Sequence, residues 1–336
     1  MAPRNIRVGI AFPFDATTIE AFRAVSPRLD IRATERDDQA AIDEVTAGDV
    51  DGLVGRALPS DPRSAPSLRW LQVLSAGIEQ LVGTGEWPRD IVLTNARGAY
   101  AGAIAQYTIA AILRIAERMD KRTEQQRLGK WPRDQALFAG RRVRGQTLVI
   151  VGYGGVGREI GRLAHAHGMR VLAVKARPQE RMDTAYRLPG TGDPEGLIPE
   201  RFVRLDRMAD AAAEADYMAI TLPITPRSRG IVSADVLAAL RPHAWLINTG
   251  RGPVVDEAAL ATLLGEGKIG GAVLDVFGDE PLPAKSPLWR LPNVIITPHI
   301  SGSEADEELA ALVAENLRRF VADEPLINEV DPERGY

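Results

Sequence analysis

A histidine, a glutamate and an arginine each stand just past an apolar run in the second half of this 336-residue chain: His299 in TPHISG, Glu280 in VLDVFGDEP and Arg251 in INTGRG. Such runs read as strands, and the carboxyl ends of neighbouring parallel strands are where ligands of open α/β sheets gather. An imidazole placed there can give and take back a proton, and a carboxylate can orient the ring. A guanidinium in a glycine-flanked turn can hold a carboxylate through two hydrogen bonds. Taken singly, Arg251 and Glu280 also read as an ordinary surface ion pair, whereas for His299 a catalytic role outweighs that of a satisfied structural histidine. The other histidines, His165, His167 and His243, read as surface or capping residues.

A second constellation supplies a partner for that chemistry. VGYGGVGREIG sets Gly152, Gly154 and Gly157 at G-x-G-x-x-G spacing between a strand and a helix, with Gly155 and Val156 opening the helix. The first glycine permits the tight turn and the second lets main chain approach a pyrophosphate. The third lets the helix pack on the strand with its N-terminus toward the phosphates. Arg158, in the first helical turn, either assists the pyrophosphate or is solvated. The following strand, RVLAV, ends in Lys175, Ala176 and Arg177 where an acid would bind the ribose hydroxyls. Two cations in place of a carboxylate favour a 2′-phosphate, hence NADP over NAD; the plainer reading leaves both in solvent. Beside a dinucleotide site, the trio Arg251, Glu280 and His299 points to hydride transfer.

The elements that must position these groups follow from periodicity. Short apolar runs at 6–12, 50–54 and 70–77, separated in part by helix-like segments, give β/α alternation in the N-terminal part. Residues 99–119 are apolar nearly all round, as expected of a buried helix that crosses between domains. The segment 124–145 has no clear period and reads as a surface arm or a contact for a second subunit. From residue 147 on, TLVIVG, RVLAV, YMAITLP, AWLINTG, GAVLDVF and VIITPH alternate mostly with helices, which predicts a doubly wound sheet of six strands. A final helix, with Ser303 as its cap, is assigned back to the N-terminal domain. The fold class is therefore α/β, two Rossmann-like domains with a cleft between them: residues 1–98 and 299–336 bind substrate, and an inserted domain, 99–298, binds the dinucleotide.

Bulk properties narrow the partners. With 41 basic against 45 acidic residues the net charge is −4, without basic blocks, so neither nucleic acid nor an anionic membrane is expected. The sequence contains no cysteine, which excludes disulfides, thiolate nucleophiles and Cys-ligated zinc, and no metal is expected. No apolar run approaches the ~18 residues of a membrane span, and the N-terminus lacks a leader-like segment. The expectation is a cytoplasmic protein.

On the segments GYGGVGREIG, SADVLAALRPHAWLINTGRGPVVDEAAL, GAVLDVFGDEPLP and LPNVIITPHISG, the chain resembles the D-isomer-specific 2-hydroxyacid dehydrogenases over nearly its whole length. The resemblance implies reversible reduction of a small anionic 2-oxo acid, glyoxylate or hydroxypyruvate in type, to the D-2-hydroxy acid. His299 would protonate the carbonyl oxygen, Glu280 would hold the imidazole and raise its pKa, and Arg251 would bind the substrate carboxylate. Main-chain N–H groups at Ala76 and Gly77, in LSAG, would share that carboxylate. Asp275 would accept from the nicotinamide amide. Thr108, Pro223, Thr249, Gly250, His299 and Gly302 would line the cofactor. Homodimers would form through the cofactor domains and the arm carrying Trp131. The family's frequent Ala-Glu on the crossing helix is Ala105-Gln106 here. The rival reading is a dinucleotide-sensing interaction protein on the same fold, of the corepressor kind.

Overall fold

A computed structural model of the chain describes residues 4–78, 81, 90–131, 133–303 and 305–330. It divides into two compact units, Met1–Tyr100 with Ala185–Leu188 and Glu304–Tyr336, and Ala101–Thr184 with Pro189–Ser303. The sequence sets the divisions at 98/99 and 298/299, so His299 and the turn after it fall in the second unit instead of the first. Residues 185–188 are a piece of the first unit that no sequence pattern announces.

The first unit begins with β1 (Ile6–Ala11), α1 (Ala16–Ala24), β2 (Leu29–Thr34), α2 (Gln39–Thr46), β3 (Gly52–Val54), β4 (Trp70–Gln72) and β5 (Val92–Thr94). Asp15 and Asp38 cap the two helices, accepting the N–H groups of Thr18 at 2.6 Å and Ala41 at 2.8 Å. Among the described residues the strands form one parallel sheet in the order β2-β1-β3-β4-β5. The edge strand β2, largely exposed, carries no continuous apolar run and gave no sequence signal.

The second unit opens with α3 (Ala101–Ala116) and α4 (Met119–Arg127). It continues with β6 (Thr147–Val151), α5 (Gly155–Ala166), β7 (Arg170–Lys175), β8 (Arg201–Arg204), α6 (Met208–Ala212) and β9 (Tyr217–Ile220). After α7 (Ala234–Ala238) come β10 (Trp245–Asn248), α8 (Glu257–Gly265), β11 (Gly271–Leu274) and β12 (Val294–Ile296). The described strands again form one parallel sheet, in the order β12-β11-β10-β9-β6-β7-β8. This is one strand more than the expected six: β8 has a single buried residue, Val203, too little apolar pattern to read as a strand. The order reverses between β6 and β9, and at such a switch point the connections leave in opposite directions and open a crevice at the carboxyl ends. Helix α3 is not apolar on every side in its setting. It packs Ala105, Ile109 and Ile112 with Ile160 and Ala164 of α5, and leaves Gln106, Ala110 and Arg114 exposed.

The last helix, α9 (Asp306–Ala322), returns to the first unit, where Leu309, Leu312, Val313, Leu317 and Phe320 join Ile6, Val8, Ile10 and Trp70 in one core. Ser303 does not cap it. The helix begins after Ala305, and the Ser303 hydroxyl closes the preceding turn by donating to the Ile300 carbonyl at 2.8 Å. No helix among the described residues is long and apolar enough to cross a membrane.

Candidate active site

The glycine loop has the geometry its spacing demands. Gly152 lies at φ +98°, a conformation open chiefly to glycine, and a Cβ on Gly157 would stand 2.2 Å from the Gly152 carbonyl oxygen. The two glycines thus fold the loop back onto the start of α5. Gly154 is different: nothing lies within 4 Å of where its Cβ would be. The space beside it is open, next to the first-turn N–H groups of α5 at Gly155 and Val156, which a helix cannot satisfy internally. The neighbouring strand ends add Pro223 beyond β9, and Thr249 and Gly250 beyond β10. The Thr249 hydroxyl is buried with no hydrogen-bond partner among the described residues, a cost a native protein tolerates chiefly where a ligand or water completes the site. A dinucleotide fits these residues: the N-terminus of α5 would take its pyrophosphate, and Thr249 and Gly250 would lie along it.

Lys175 and Arg177 stand at the end of β7, but neither is an idle cation. Lys175 Nζ donates to the main-chain oxygen of Glu180, and Arg177 pairs with the Glu180 carboxylate at 3.2 Å. Burial lowers the Lys175 pKa, and the charge of Arg158 lowers it further. Arg158 answers to neither sequence reading. It is 2% exposed and donates to the carbonyl oxygens of Asp193 and, at 2.5 Å, Arg181. It also pairs with Asp183 at 3.4 Å and lies over the Tyr153 ring. Asp193 in turn accepts the Tyr153 hydroxyl and the N–H groups of Leu197 and Ile198. Arg158 therefore anchors the long β7–β8 loop from beneath and does not face a pyrophosphate.

The three candidate residues Arg251, Glu280 and His299 come from three adjacent strands. In register, Asn248 of β10 pairs with Leu274 of β11, which pairs with Ile296 of β12, so Arg251, Glu280 and His299 all lie just past the same sheet edge. A Cβ on Gly252 would overlap the carbonyl of Phe277 at 1.9 Å, so glycine there lets the Arg251 turn press against the Glu280 turn. His299 Nδ1 lies 2.8 Å from Glu280 Oε2, while Glu280 Oε1 accepts the Phe277 N–H at 3.0 Å. A carboxylate only accepts, so Nδ1 carries the proton of this bond and Nε2 is the nitrogen turned outward. Arg251 is partly buried, and its Nη1 donates to the Gly250 oxygen at 2.9 Å. His243, by contrast, pairs with Asp216 at 2.7 Å, away from these loops.

Two expected cofactor residues have internal work. Thr108 exposes no surface, and its hydroxyl donates to the Ile104 carbonyl one turn back. Asp275 is likewise wholly buried; its carboxylate accepts from the Thr297 hydroxyl and the N–H groups of Ile300 and Ser301. In this conformation neither offers a ligand an exposed atom. Gly302, partly exposed, lies in the turn closed by the Ser303 N–H to Ile300 oxygen bond.

The turn at 74–77 belongs to the first unit. Its carbonyls are all engaged: Leu74 by the Tyr100 hydroxyl, Ser75 by Ala96 N, Ala76 by Asn95 Nδ2 and Gly77 by the Ser75 hydroxyl. The N–H groups of Ala76 and Gly77 have no partner among the described residues. Engaged carbonyls beside amides without a partner among the described residues are what a main-chain anion site requires.

Comparison with known proteins agrees with this geometry. Residues 109–301 match the D-isomer specific 2-hydroxyacid dehydrogenase, NAD binding domain. The glyoxylate/hydroxypyruvate reductase B of Pectobacterium carotovorum is 31% identical over 315 residues, 91% of this chain and 94% of its own. The (S)-sulfolactate dehydrogenase of Chromohalobacter salexigens is 33% identical over 76% of this chain and 78% of its own. A D-isomer specific 2-hydroxyacid dehydrogenase from Xanthobacter autotrophicus, solved in complex with NADPH and MES, has a TM-score of 0.76 at 29% identity, covering 99% of this chain and 100% of that one. The chain belongs to the D-isomer-specific 2-hydroxyacid dehydrogenase family. It is accordingly an oxidoreductase that uses a nicotinamide dinucleotide.

Proposed function

We propose that the protein reduces a small 2-oxo acid to the D-2-hydroxy acid with NADPH. The observation that carries this reading is the His299–Glu280 bond, which leaves Nε2 as the free ring nitrogen, at the same sheet edge as Arg251. With the dinucleotide's pyrophosphate held at the glycine loop, its reduced nicotinamide would supply hydride to the carbonyl carbon. The carbonyl oxygen then needs a proton, which His299 Nε2 gives, and Glu280 steadies the ring in both protonation states. Arg251 would hold the substrate carboxylate and polarise the carbonyl. In the reverse direction His299 accepts the hydroxyl proton.

NADPH over NADH is supported by Lys175 and Arg177 at the β7 end, and by the NADPH bound in the Xanthobacter relative. The reductase named for glyoxylate and hydroxypyruvate supports small, unbranched substrates. A homodimer is supported by the arm, where Leu128 and Trp131 are 54% and 87% exposed, and by Met119 just before it, 46% exposed. The deciding experiment is a steady-state comparison of glyoxylate, hydroxypyruvate, pyruvate and a branched 2-oxo acid with each cofactor, together with sulfolactate oxidation. Tight NADPH binding without turnover of any of these would favour the sensing role over the reductase.

A further inference from the structure

Tyr107 lies on α3, one residue past the exposed Gln106, and is itself partly buried. Its hydroxyl is 2.7 Å from Thr297 Oγ1 at the end of β12, and Thr297 Oγ1 donates to Asp275 Oδ1 at 2.6 Å. Proton counting fixes the direction of both bonds. Asp275 accepts main-chain N–H groups on both oxygens, Ile300 at 3.0 Å and Ser301 at 2.9 Å, as an ionised carboxylate does, and in that state it has nothing to donate. The single hydroxyl proton of Thr297 is spent on that carboxylate, so toward Tyr107 it can only accept. The relay runs from Tyr107 O–H through Thr297 to Asp275. Burial, and then the charge of Asp275, raise the Tyr107 pKa, so the phenol keeps the proton this direction requires.

What the relay holds is the main chain of the catalytic loop. His299 lies at φ +55°, a left-handed conformation that is strained for a residue with a Cβ and persists where surrounding bonds over-determine it. Those bonds come from one residue: the Asp275 carbonyl accepts the His299 N–H at 2.9 Å, and its carboxylate grips the next two amides. Resting on the reductase reading above, we infer that Tyr107 is a positioning residue for His299. Its hydroxyl, acting through Thr297, locks the Asp275 carboxylate in the orientation that clamps the amides after the catalytic histidine. A side chain on the helix that opens the second unit thereby sets the aim of the proton donor near that unit's end.

Tyr107→Phe deletes the hydroxyl alone and is the direct test. The expected result is a kcat lower by about 3- to 10-fold, the scale of one buried hydrogen bond, with KM for NADPH unchanged. Thr297→Val breaks the relay at its centre, so Tyr107→Phe added to it should cost nothing more, whereas independent residues would multiply their losses. Hydrogen exchange at the Ile300 and Ser301 amides should quicken in Tyr107→Phe, a readout that needs no turnover. Multiplicative losses, or wild-type kcat with unchanged exchange, overturn the inference. A wild-type enzyme inert toward every 2-oxo acid would sink the reductase reading instead, and exchange at the two amides would still decide the relay.

Discussion

His299 Nδ1 and Glu280 Oε2 lie 2.8 Å apart, and the second oxygen of that glutamate is tied at 3.0 Å to the N–H of Phe277 in its own turn. The carboxylate is thus fixed to main chain before it meets the ring. His299→Ala should lower kcat by about 10²–10⁴ while leaving cofactor affinity little changed. Glu280→Gln keeps an oxygen for Phe277 but can present an amide donor to the ring, which turns the proton to Nε2 in the neutral ring and unsettles the ring. Its kcat should fall with Tm unchanged. Equal loss of NADPH binding in His299→Ala would mark the histidine as a cofactor residue instead.

On the NADPH reading, cofactor choice would turn on Glu180 as much as on the two cations. Because Glu180 already engages both Lys175 and Arg177, a 2′-phosphate must share them with it. Glu180→Gln should lower KM for NADPH by about 2- to 5-fold, the scale of an exposed ion pair. Lys175→Asp with Arg177→Ala should shift the kcat/KM ratio toward NADH. Ratios unchanged in both variants would return these side chains to a purely surface role.

Glycines of similar appearance should separate cleanly. A methyl group at Gly157 or Gly252 would meet backbone at 2.2 Å and 1.9 Å, so either alanine variant should lose about 3 kcal/mol of stability in urea unfolding. At Gly154 a methyl group meets nothing within 4 Å. Gly154→Ala should keep the wild-type Tm yet raise KM for the dinucleotide, because the methyl group occupies space the pyrophosphate would use. A drop in Tm equal to that of Gly157→Ala would contradict this division of labour.

Arg158→Ala removes a buried cation from beneath the β7–β8 loop, with a cost of about 3 kcal/mol. Limited proteolysis should then cut within residues 177–200 far faster than in the wild type. Arg158→Lys should restore resistance only in part, since an ammonium lacks the fork that reaches two carbonyls and a carboxylate. Wild-type resistance in the alanine variant would show that the loop is held by other means.

What could be read from the sequence was what local pattern controls. Glycine spacing, strand runs and the residues just beyond them are short-range signals, and they located the glycine loop and the three strand ends. Arg158 was not legible: in the first turn of a helix, a buried arginine and a solvated one have the same local pattern, and only the fold of a loop some 20–35 residues away distinguishes them. Tyr107 was hidden for the same reason, since its partner lies 190 residues on. Edge strands such as β8 bury too little to leave an apolar signature, and Ser303 offered a cap to a helix that starts farther along.

The turn at 74–77 carries a consequence of its own for pH. It presents amides outward through carbonyls tied to Asn95, Ala96, Ser75 and Tyr100, and of these only Tyr100 ionises, burial having pushed its hydroxyl up to about 12. Its polarity is built into peptide dipoles instead of formal charge. If the turn takes the substrate carboxylate, that anion would meet the same field in mild acid and in mild alkali, and any pH dependence of its capture would originate at other groups or on the substrate.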